Sequence, residues 1–291
     1  VVVRPSFRPD KAMNADNLPE LHAYIQKLAI VSGMEINTFE QYLLALKSRH
    51  NHFAKTGCIV SDHGLEQLCY EEYTDAEIDQ IFIKILNQQA LSSIEILRFK
   101  SCMLLNLAHW DHEKGWVQQY HLGAIRNNNS RLLTELGPDT GFDSMGDFSQ
   151  SRGMSSFLNK LDSTNRLAKT IIYNLNPSDN EMFATMAGNF NDGTVPGKIQ
   201  FGSAWWFLDQ KFGMVNQINA LSSMGLLSRF VGMITDSRSF MSYPRHEYFR
   251  RILCNLIGSD VESGELPNDI EWLGQMVQNI CYFNAKNYFK S

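Results

Sequence analysis

Short apolar, β-branched segments alternate with long helical stretches along the chain, and this alternation is typical of βαβ units around a parallel sheet. Six segments have the composition of strands, and they cover residues 1–7, 58–60, 116–120, 169–175, 198–201 and 230–235. Eight strands close a barrel of this class, so two strands would be missing. The chain also begins with three valines and no Met. We therefore expect an α/β barrel that lacks residues before Val1.

Amphipathic stretches between these segments predict the helices. They are expected from residue 17 onwards, over residues 38–55, 74–89 and 93–114, in the stretch that ends near 224, and over 243–257 and 269–284. Two helix starts carry the capping-box pattern, in which Ser or Thr is followed three residues later by Glu. One pairs Thr74 with Glu77, and the other pairs Ser178 with Glu181. Residues 137–153 are rich in Gly, Asp and Ser and predict a long loop, a kind of segment that tends to be functional.

Composition and charge narrow the class of protein. The chain has 291 residues, of which 44% are hydrophobic and 20% charged, and this suits one barrel-sized domain over residues 1–291. A net charge of −5 gives no reason to expect nucleic acid or an anionic membrane as a partner. No apolar run approaches the roughly 20 residues that cross a bilayer, and no signal peptide opens the chain. Five scattered cysteines without a CxxC pair predict reduced thiols in the cytoplasm.

Polar and aromatic side chains collect where the predicted strands end, which is where parallel α/β folds place their sites. The candidates are Arg8, Asp10, His63, His121, Arg126, Trp205, Trp206, Asp236 and Arg238. Carboxylates and imidazoles offer metal ligands or acid–base groups. Arginines bind a carboxylate through two parallel hydrogen bonds, and tryptophan faces suit sugar rings. The set predicts a site for an anionic carbohydrate near a metal.

Each candidate also has a structural interpretation. A strand-end histidine such as His121 is more often a hydrogen-bonded structural residue than a ligand. Asp236 could cap a turn, and Arg238 could form a surface ion pair. Trp205 and Trp206 could be core residues.

Two histidine pairs are not predicted to be sites. His50 and His52 form an HxH pattern, but it falls in a helix, where residues two apart point to different faces; we interpret it as a solvated helix end. His109 and His112 lie three apart on a predicted outer helix, which favours a surface or subunit contact.

Five segments together resemble the uronate (glucuronate) isomerases. They are FRPDKA at 7–12, HLGAIRNNN at 121–129, NLNP at 174–177, GSAWWF at 202–207 and TDSRS at 235–239. The strings around His121 and Trp205 are the specific ones, and the likeness runs the length of the chain.

The resemblance implies a member of the amidohydrolase superfamily with a distorted (β/α)8 TIM-type barrel, of which this chain would supply about strands 3–8. It implies interconversion of D-glucuronate with D-fructuronate, and of D-galacturonate with D-tagaturonate, in hexuronate catabolism. Such enzymes hold one divalent metal, usually zinc, between an HxH pair on the first strand and an Asp on the last. That Asp matches Asp236, the strand-end His matches His121, and the following Arg matches Arg238.

One departure from the family pattern concerns the metal. The first-strand HxH pair is absent, and the resemblance places it in an N-terminal part, with two strands and a helical region, that this chain lacks. Taken as a complete protein, the chain should bind zinc poorly and isomerise little.

The mechanism we expect is an enediol route, in which a base takes the C2 proton and a proton returns at C1. Asp236 would bind the metal or move the proton, and His121 would act as a second acid–base group. Arg238 would hold substrate charge, with Arg8 and Arg126 as further carboxylate binders and Trp205 covering the ring.

Two alternatives stay open at this point. One is a metal-dependent hydrolase of the same superfamily, which would use metal-bound hydroxide. The other is an inactive fragment that lacks the HxH pair. A homo-oligomer is also compatible with the aromatic residues near the C-terminus, such as Tyr282 and Phe283.

Overall fold

The protein is described here by a computed structural model that covers residues 3–234, 236 and 239–290. These residues form six strands, which are β1 (Val60–Leu65), β2 (Val117–Leu122), β3 (Ala124–Ile125), β4 (Ser144–Met145), β5 (Thr170–Asn174) and β6 (Ile199–Phe201). The main sheet has the order β1-β2-β5-β6, and β3 pairs with β4 in a small antiparallel sheet. Strands β5 and β6 run parallel, with Thr170 opposite Ile199. The predicted α/β class with a parallel sheet is therefore confirmed, while closure into a barrel stays a prediction.

Helices occupy most of the chain between and after the strands. They are α1 (Leu18–Ser32), α2 (Phe39–Lys55), α3 (Asp75–Leu86), α4 (Ser93–Lys114), α5 (Ser130–Leu136), α6 (Ser151–Asp162), α7 (Asn180–Gly188), α8 (Lys211–Met224), α9 (Pro244–Glu262), α10 (Ile270–Gln278) and α11 (Asn284–Tyr288). Among the described residues, no helix is both long and apolar enough to cross a bilayer.

Local signals set several helix boundaries. The predicted capping box of Thr74 and Glu77 forms at the start of α3. The box predicted from Ser178 and Glu181 does not form, because the Asn176 side chain caps a short 3-10 turn first and α7 begins only at Asn180. Helices α5 and α6 were not predicted.

Two predicted strands are reduced in the structure. Of the described part of residues 1–7, only Phe7 pairs, in a parallel bridge with Ser61, and Pro5 supplies no N–H for a ladder. Residues 230–234 form no strand. Gly232 has φ +80°, and the Phe230 carbonyl accepts a hydrogen bond from the Asn284 side chain at 2.8 Å instead of a strand partner. At Phe230, a side-chain hydrogen bond therefore takes the place of a hydrogen bond within the sheet.

The chain divides into two compact units, each of which is described by itself. Unit 1 contains the described residues up to Gln119 together with Arg152–Ala168, and unit 2 contains Tyr120–Ser151 and Lys169–Lys290. Unit 1 is built on an aromatic core, and unit 2 has its own buried aromatic residues. The core aromatics of unit 1 include Phe39, Tyr42, Phe82 and Phe99, and those of unit 2 include Tyr173, Phe183, Phe201 and Phe230. That residues 1–291 form a single catalytic domain stays a prediction.

A buried polar network in unit 1 corrects the interpretation of the HxH pattern. His50 lies on α2, as predicted, but it is fully buried rather than solvated. Its Nε2 lies 3.0 Å from Asp111 Oδ1, while Ser61 Oγ donates to Asp111 Oδ2 at 2.6 Å and Gln118 Nε2 donates to the same oxygen at 3.0 Å. Asp111 thus joins α2, α4, β1 and β2, and His50 is a structural residue of this core.

Candidate functional site

Arg8 and its neighbours form a charged cluster in unit 1. The bridge between Phe7 and Ser61 brings the segment of Arg8 alongside the end of β1. Arg8 Nε lies 3.2 Å from Asp10 Oδ2, and Arg8 Nη1 lies 3.1 Å from Asp62 Oδ2. Asp10 also accepts from the Gly64 N–H at 2.9 Å and lies 3.1 Å from His63 Nδ1. The strand-end candidates of this unit therefore form one ion-pair network.

In unit 2, His121 lies near the C-terminal end of β2, where Leu175 N–H donates to the Leu122 carbonyl and aligns β5 beside it. The imidazole is buried and stacks on the Tyr173 ring, with centroids 4.3 Å apart and planes at 6°. The indole of Trp205 meets it edge-on at 4.6 Å. Because two rings fix two sides of the imidazole, its orientation is set by packing.

Trp205 and Trp206 extend this packing toward Arg126. Their ring centroids lie 5.6 Å apart, and the Arg126 guanidinium carbon lies 5.0 Å from the Trp206 centroid, in cation–π contact. Trp205 is 4% exposed, and its Nε1–H has no hydrogen-bond acceptor among the described residues. A buried indole N–H normally has a partner, so this donor is suited to an oxygen of a ligand.

Arg126 itself is paired with acidic residues of the loop that precedes α6. Its Nη1 lies 3.2 Å from Asp143 Oδ2 and 3.7 Å from Asp139 Oδ1. The composition of residues 137–153 predicts a functional loop, and Asp139 and Asp143 of this segment are the partners of a candidate substrate-binding arginine. We call the side chains from Tyr173 through His121, Trp205, Trp206 and Arg126 to Asp143 the aromatic–arginine column.

Asp236 is an exposed residue of unit 2 with φ +40°, a left-handed conformation that is uncommon outside glycine. The Ile234 N–H donates to Ser203 Oγ at 3.4 Å, so the segment before Asp236 runs beside the segment before Trp205. Burial raises the pKa of the Asp209 carboxyl, Arg245 at 2.6 Å opposes this, and the charge of Asp236 raises that pKa further. Arg238, the third predicted catalytic residue, lies outside the described residues.

The predicted metal centre requires His, Cys, Asp or Glu side chains that lie close enough together to ligate one ion. In the part of the chain that the structure describes, no group of three His, Cys, Asp or Glu side chains is placed to hold a metal ion. Asp236 is a carboxylate donor, but the described residues do not complete a site around it.

Unit 2 contains side chains that can transfer protons and bind an anion. It combines a packed imidazole, a buried indole donor, a cationic guanidinium and an exposed carboxylate on neighbouring segments. Imidazole and carboxylate can transfer protons, and guanidinium can bind an anionic group. Together these groups can bind an acidic ligand and exchange protons with it.

A comparison with protein families decides the assignment. The family model described as glucuronate isomerase matches residues 1–289. The chain belongs to the glucuronate isomerase family. Two curated uronate isomerases, from Phocaeicola vulgatus and Bacteroides fragilis, are each 58% identical to it over 98% of its length. The chain spans 61% of the length of each of these relatives.

Solved glucuronate isomerase structures agree with this fold. A uronate isomerase from Thermotoga maritima superposes with a TM-score of 0.91 at 32% identity, covering 99% of this chain and 61% of that one. A glucuronate isomerase from Caulobacter crescentus gives a TM-score of 0.88 at 24% identity, covering 99% of this chain and 58% of that one, which supports the fold alone. The family match favours the isomerase hypothesis and supports neither the hydrolase nor the inactive-fragment alternative.

Sequence reasoning identified several members of the column and missed others. His121, Trp205 and Arg126 were named, and the structure brings them into one stack. Asp143 and Tyr173 were missed. Asp143 could have been suspected, since it is an acidic residue in the loop predicted to be functional, whereas no pattern marks Tyr173 within its apolar strand.

Proposed function

We propose that the full-length protein interconverts D-glucuronate with D-fructuronate, and D-galacturonate with D-tagaturonate. The observation that carries the proposal is the aromatic–arginine column, because an imidazole, a buried N–H donor and a guanidinium lie on consecutive packed side chains. A uronic acid presents the matching groups, namely a carboxylate and a polyhydroxylated carbon chain. Family membership of the chain supports the same reaction.

The residues of the reaction are assigned by their chemistry. Aldose–ketose isomerisation moves a proton from C2 to C1, and negative charge develops on oxygen in the enediolate. Asp236 binds the metal or moves the proton, His121 is a second acid–base residue, and Arg238 holds charge on the substrate. Trp205 covers the sugar chain and donates from Nε1 to a hydroxyl oxygen.

The carboxylate of the substrate is assigned to arginine. Arg126 is 43% exposed and can receive a planar anion while it remains on the Trp206 face. Arg8 is the second candidate. Its guanidinium is also accessible, but two carboxylates already compete for it.

The remaining parts of the proposal concern the whole protein. Residues 1–291 belong to a distorted (β/α)8 TIM-type barrel domain, of which this chain carries about strands 3–8. A divalent metal, zinc, has Asp236 as one ligand, and further ligands would be required beyond the described residues. Zinc would supply Lewis acidity toward substrate oxygens. The enzyme acts in the cytoplasm, and exposed Tyr282 and Phe283 are available for a homo-oligomer contact.

The test is proton NMR of the full-length gene product with zinc and D-glucuronate in D2O. We expect ketose signals to appear and deuterium to enter at C1, because the bases exchange their protons with solvent. The Asp236→Asn variant should keep its fold and lose most of the activity. Failure to convert either glucuronate or galacturonate, in protein that has bound zinc, would overturn the proposal, and near-normal turnover by the variant would remove Asp236 from it.

A further inference from the structure

We infer that Asp143 is a positioning residue, which holds the Arg126 guanidinium on the Trp206 face so that its outer edge receives the substrate carboxylate. This inference rests on the proposed function. Asp143 contacts two consecutive residues through its two oxygens. Oδ2 lies 3.2 Å from Arg126 Nη1, and Oδ1 accepts the Asn127 N–H at 2.9 Å. One carboxylate therefore fixes both the side chain of Arg126 and the backbone that follows it.

Hydrogen bonds also hold the backbone after Arg126. Asn127 has φ +58°, a left-handed conformation that Asn adopts more readily than most residues with a Cβ, and its N–H is the one bound by Asp143. The next residue is held as well, since Asn128 N–H donates to the Phe142 carbonyl at 2.7 Å. These hydrogen bonds to Asp143 and Phe142 hold the turn after Arg126 against the two residues that directly precede β4.

The guanidinium is held on one edge and one face. Trp206 covers the face at 5.0 Å, and the ion-pair distances from Arg126 to Asp143 and Asp139 both run from Nη1. The edge formed by Nε and Nη2 remains for a planar carboxylate, which binds arginine through two parallel hydrogen bonds. Since the Asp143 side chain is only 10% exposed, it is the anchored member of the ion pair.

Asp143 is itself negatively charged, so two different roles of this carboxylate predict opposite changes in KM when it is removed. If the carboxylate acted only through its charge, it would weaken binding of an anionic substrate, and its removal would lower KM. If it positions Arg126, its removal lets the guanidinium leave the Trp206 face, and KM rises. The anchored geometry favours the second outcome.

The experiment measures kcat and KM for D-glucuronate in the full-length gene product and in the Asp143→Asn variant. The amide keeps an oxygen for the Asn127 N–H and removes the ion pair. We expect KM to rise about 10-fold with a much smaller change in kcat. The matched control is Asp139→Asn, because Asp139 faces the same Nη1 at 3.7 Å but is 56% exposed. Its KM should stay within about two-fold of the unmodified enzyme.

A double-mutant cycle with Arg126→Gln separates positioning from a general structural effect. If Asp143 acts through Arg126, Asp143→Asn has no further effect on KM in the Arg126→Gln background. An equal loss in both backgrounds, or an unchanged or lowered KM in Asp143→Asn alone, overturns the inference. Absence of isomerisation by the unmodified protein is a separate result, and it rejects the proposed function before any variant is compared.

Discussion

The imidazole of His121 lies flat against the ring of Tyr173, at a centroid distance of 4.3 Å and an interplanar angle of 6°. Tyr173 is on β5 and fully buried, so its ring is a fixed surface on which the imidazole rests. Gly202 also lies against Tyr173, since an added Cβ there would overlap the Tyr173 ring. The position of His121 thus depends on the absence of a side chain at residue 202.

The Gly202→Ala substitution tests this dependence. The added methyl group should displace Tyr173, because the ring has no free space in a packed core, and should destabilise the fold by about 1–3 kcal/mol. Since His121 moves with the ring, kcat should fall more than the loss of folded protein explains. Thermal unfolding and steady-state kinetics on the same samples measure both effects.

Gly258→Ala provides the matched control for this substitution. Gly258 lies within α9, and a Cβ there would meet nothing within 4 Å. Alanine favours a helix interior over glycine by about 1 kcal/mol, so the control should be slightly more stable and equally active. Normal kcat in Gly202→Ala would show that Tyr173 does not position His121.

Trp205→Phe tests the buried indole donor. Phenylalanine retains an aromatic ring against His121 but lacks the Nε1–H that has no acceptor among the described residues. If that N–H donates to a substrate hydroxyl, kcat/KM for D-glucuronate should fall about 10-fold, as expected for one lost hydrogen bond to a ligand. The smaller ring leaves space in the core, so the melting temperature should also fall, and kcat/KM is compared at a temperature where the variant is folded. A variant with unchanged kcat/KM would assign Trp205 to packing alone.

Asp111→Ala tests the buried network of unit 1. The substitution removes the common partner of His50, Ser61 and Gln118, all of which are buried. Breaking a buried charged network in this way should cost about 3–5 kcal/mol of unfolding free energy. Urea unfolding followed by tryptophan fluorescence is suitable, because Trp116 lies 4.1 Å from the His50 ring.

The control for Asp111 is its near neighbour on the same helix. Glu113 pairs with Lys47 at 3.2 Å, and both side chains are exposed. Glu113→Gln should change stability by less than about 0.5 kcal/mol. Similar losses in the two variants would mean that the network around His50 adds nothing beyond a surface ion pair.

Sequence patterns predicted those elements of the fold whose ends are marked by residues next to them in the chain. Helix α4 was predicted over residues 93–114 and forms over Ser93–Lys114, because Ser92 caps its start and Gly115, with φ +67°, ends it. The segment 230–235 was predicted as a strand from its apolar residues. Its described part is instead shaped by tertiary contacts, since the backbone carbonyl of Ile280 occupies the space beside Gly232.

In the candidate site, too, the sequence predicted residues that carry a local signal but not the partners that the fold brings to them. His121, Arg126 and Trp205 could be named because they follow strands and carry chemical groups. The partner of Arg126 could not, because Asp143 lies 17 residues away in the chain and α5 intervenes. Only the folded loop brings the two together. The buried role of His50 was likewise hidden, since its partner Asp111 is 61 residues distant.

A pH-dependent prediction follows from the capping box of α4. The pKa of Glu95 falls from its ordinary 4.5 to about 2, chiefly because the Lys84 ammonium donates to it, with the Ser92 N–H and hydroxyl adding hydrogen bonds at 2.8 and 2.9 Å. A carboxyl whose pKa is lower in the folded state stabilises the fold above its unfolded pKa. That contribution is lost as the pH falls from about 4.5 through about 2.

Glu95→Gln should therefore be less stable than the unmodified protein by about 1 kcal/mol at pH 7. This value is the expected loss when the charge of Glu95 is removed from the helix cap and from its partly exposed ion pair with Lys84. The difference should shrink as the pH falls below 4.5, because the unmodified Glu95 then becomes protonated. Unfolding measured from pH 7 to pH 2.5 provides the curve, and Glu135→Gln, in an exposed pair with Arg131, provides a comparison. A difference between the two proteins that stays constant across this range would contradict the assignment, since it would show that the amide loses packing or hydrogen bonding rather than charge.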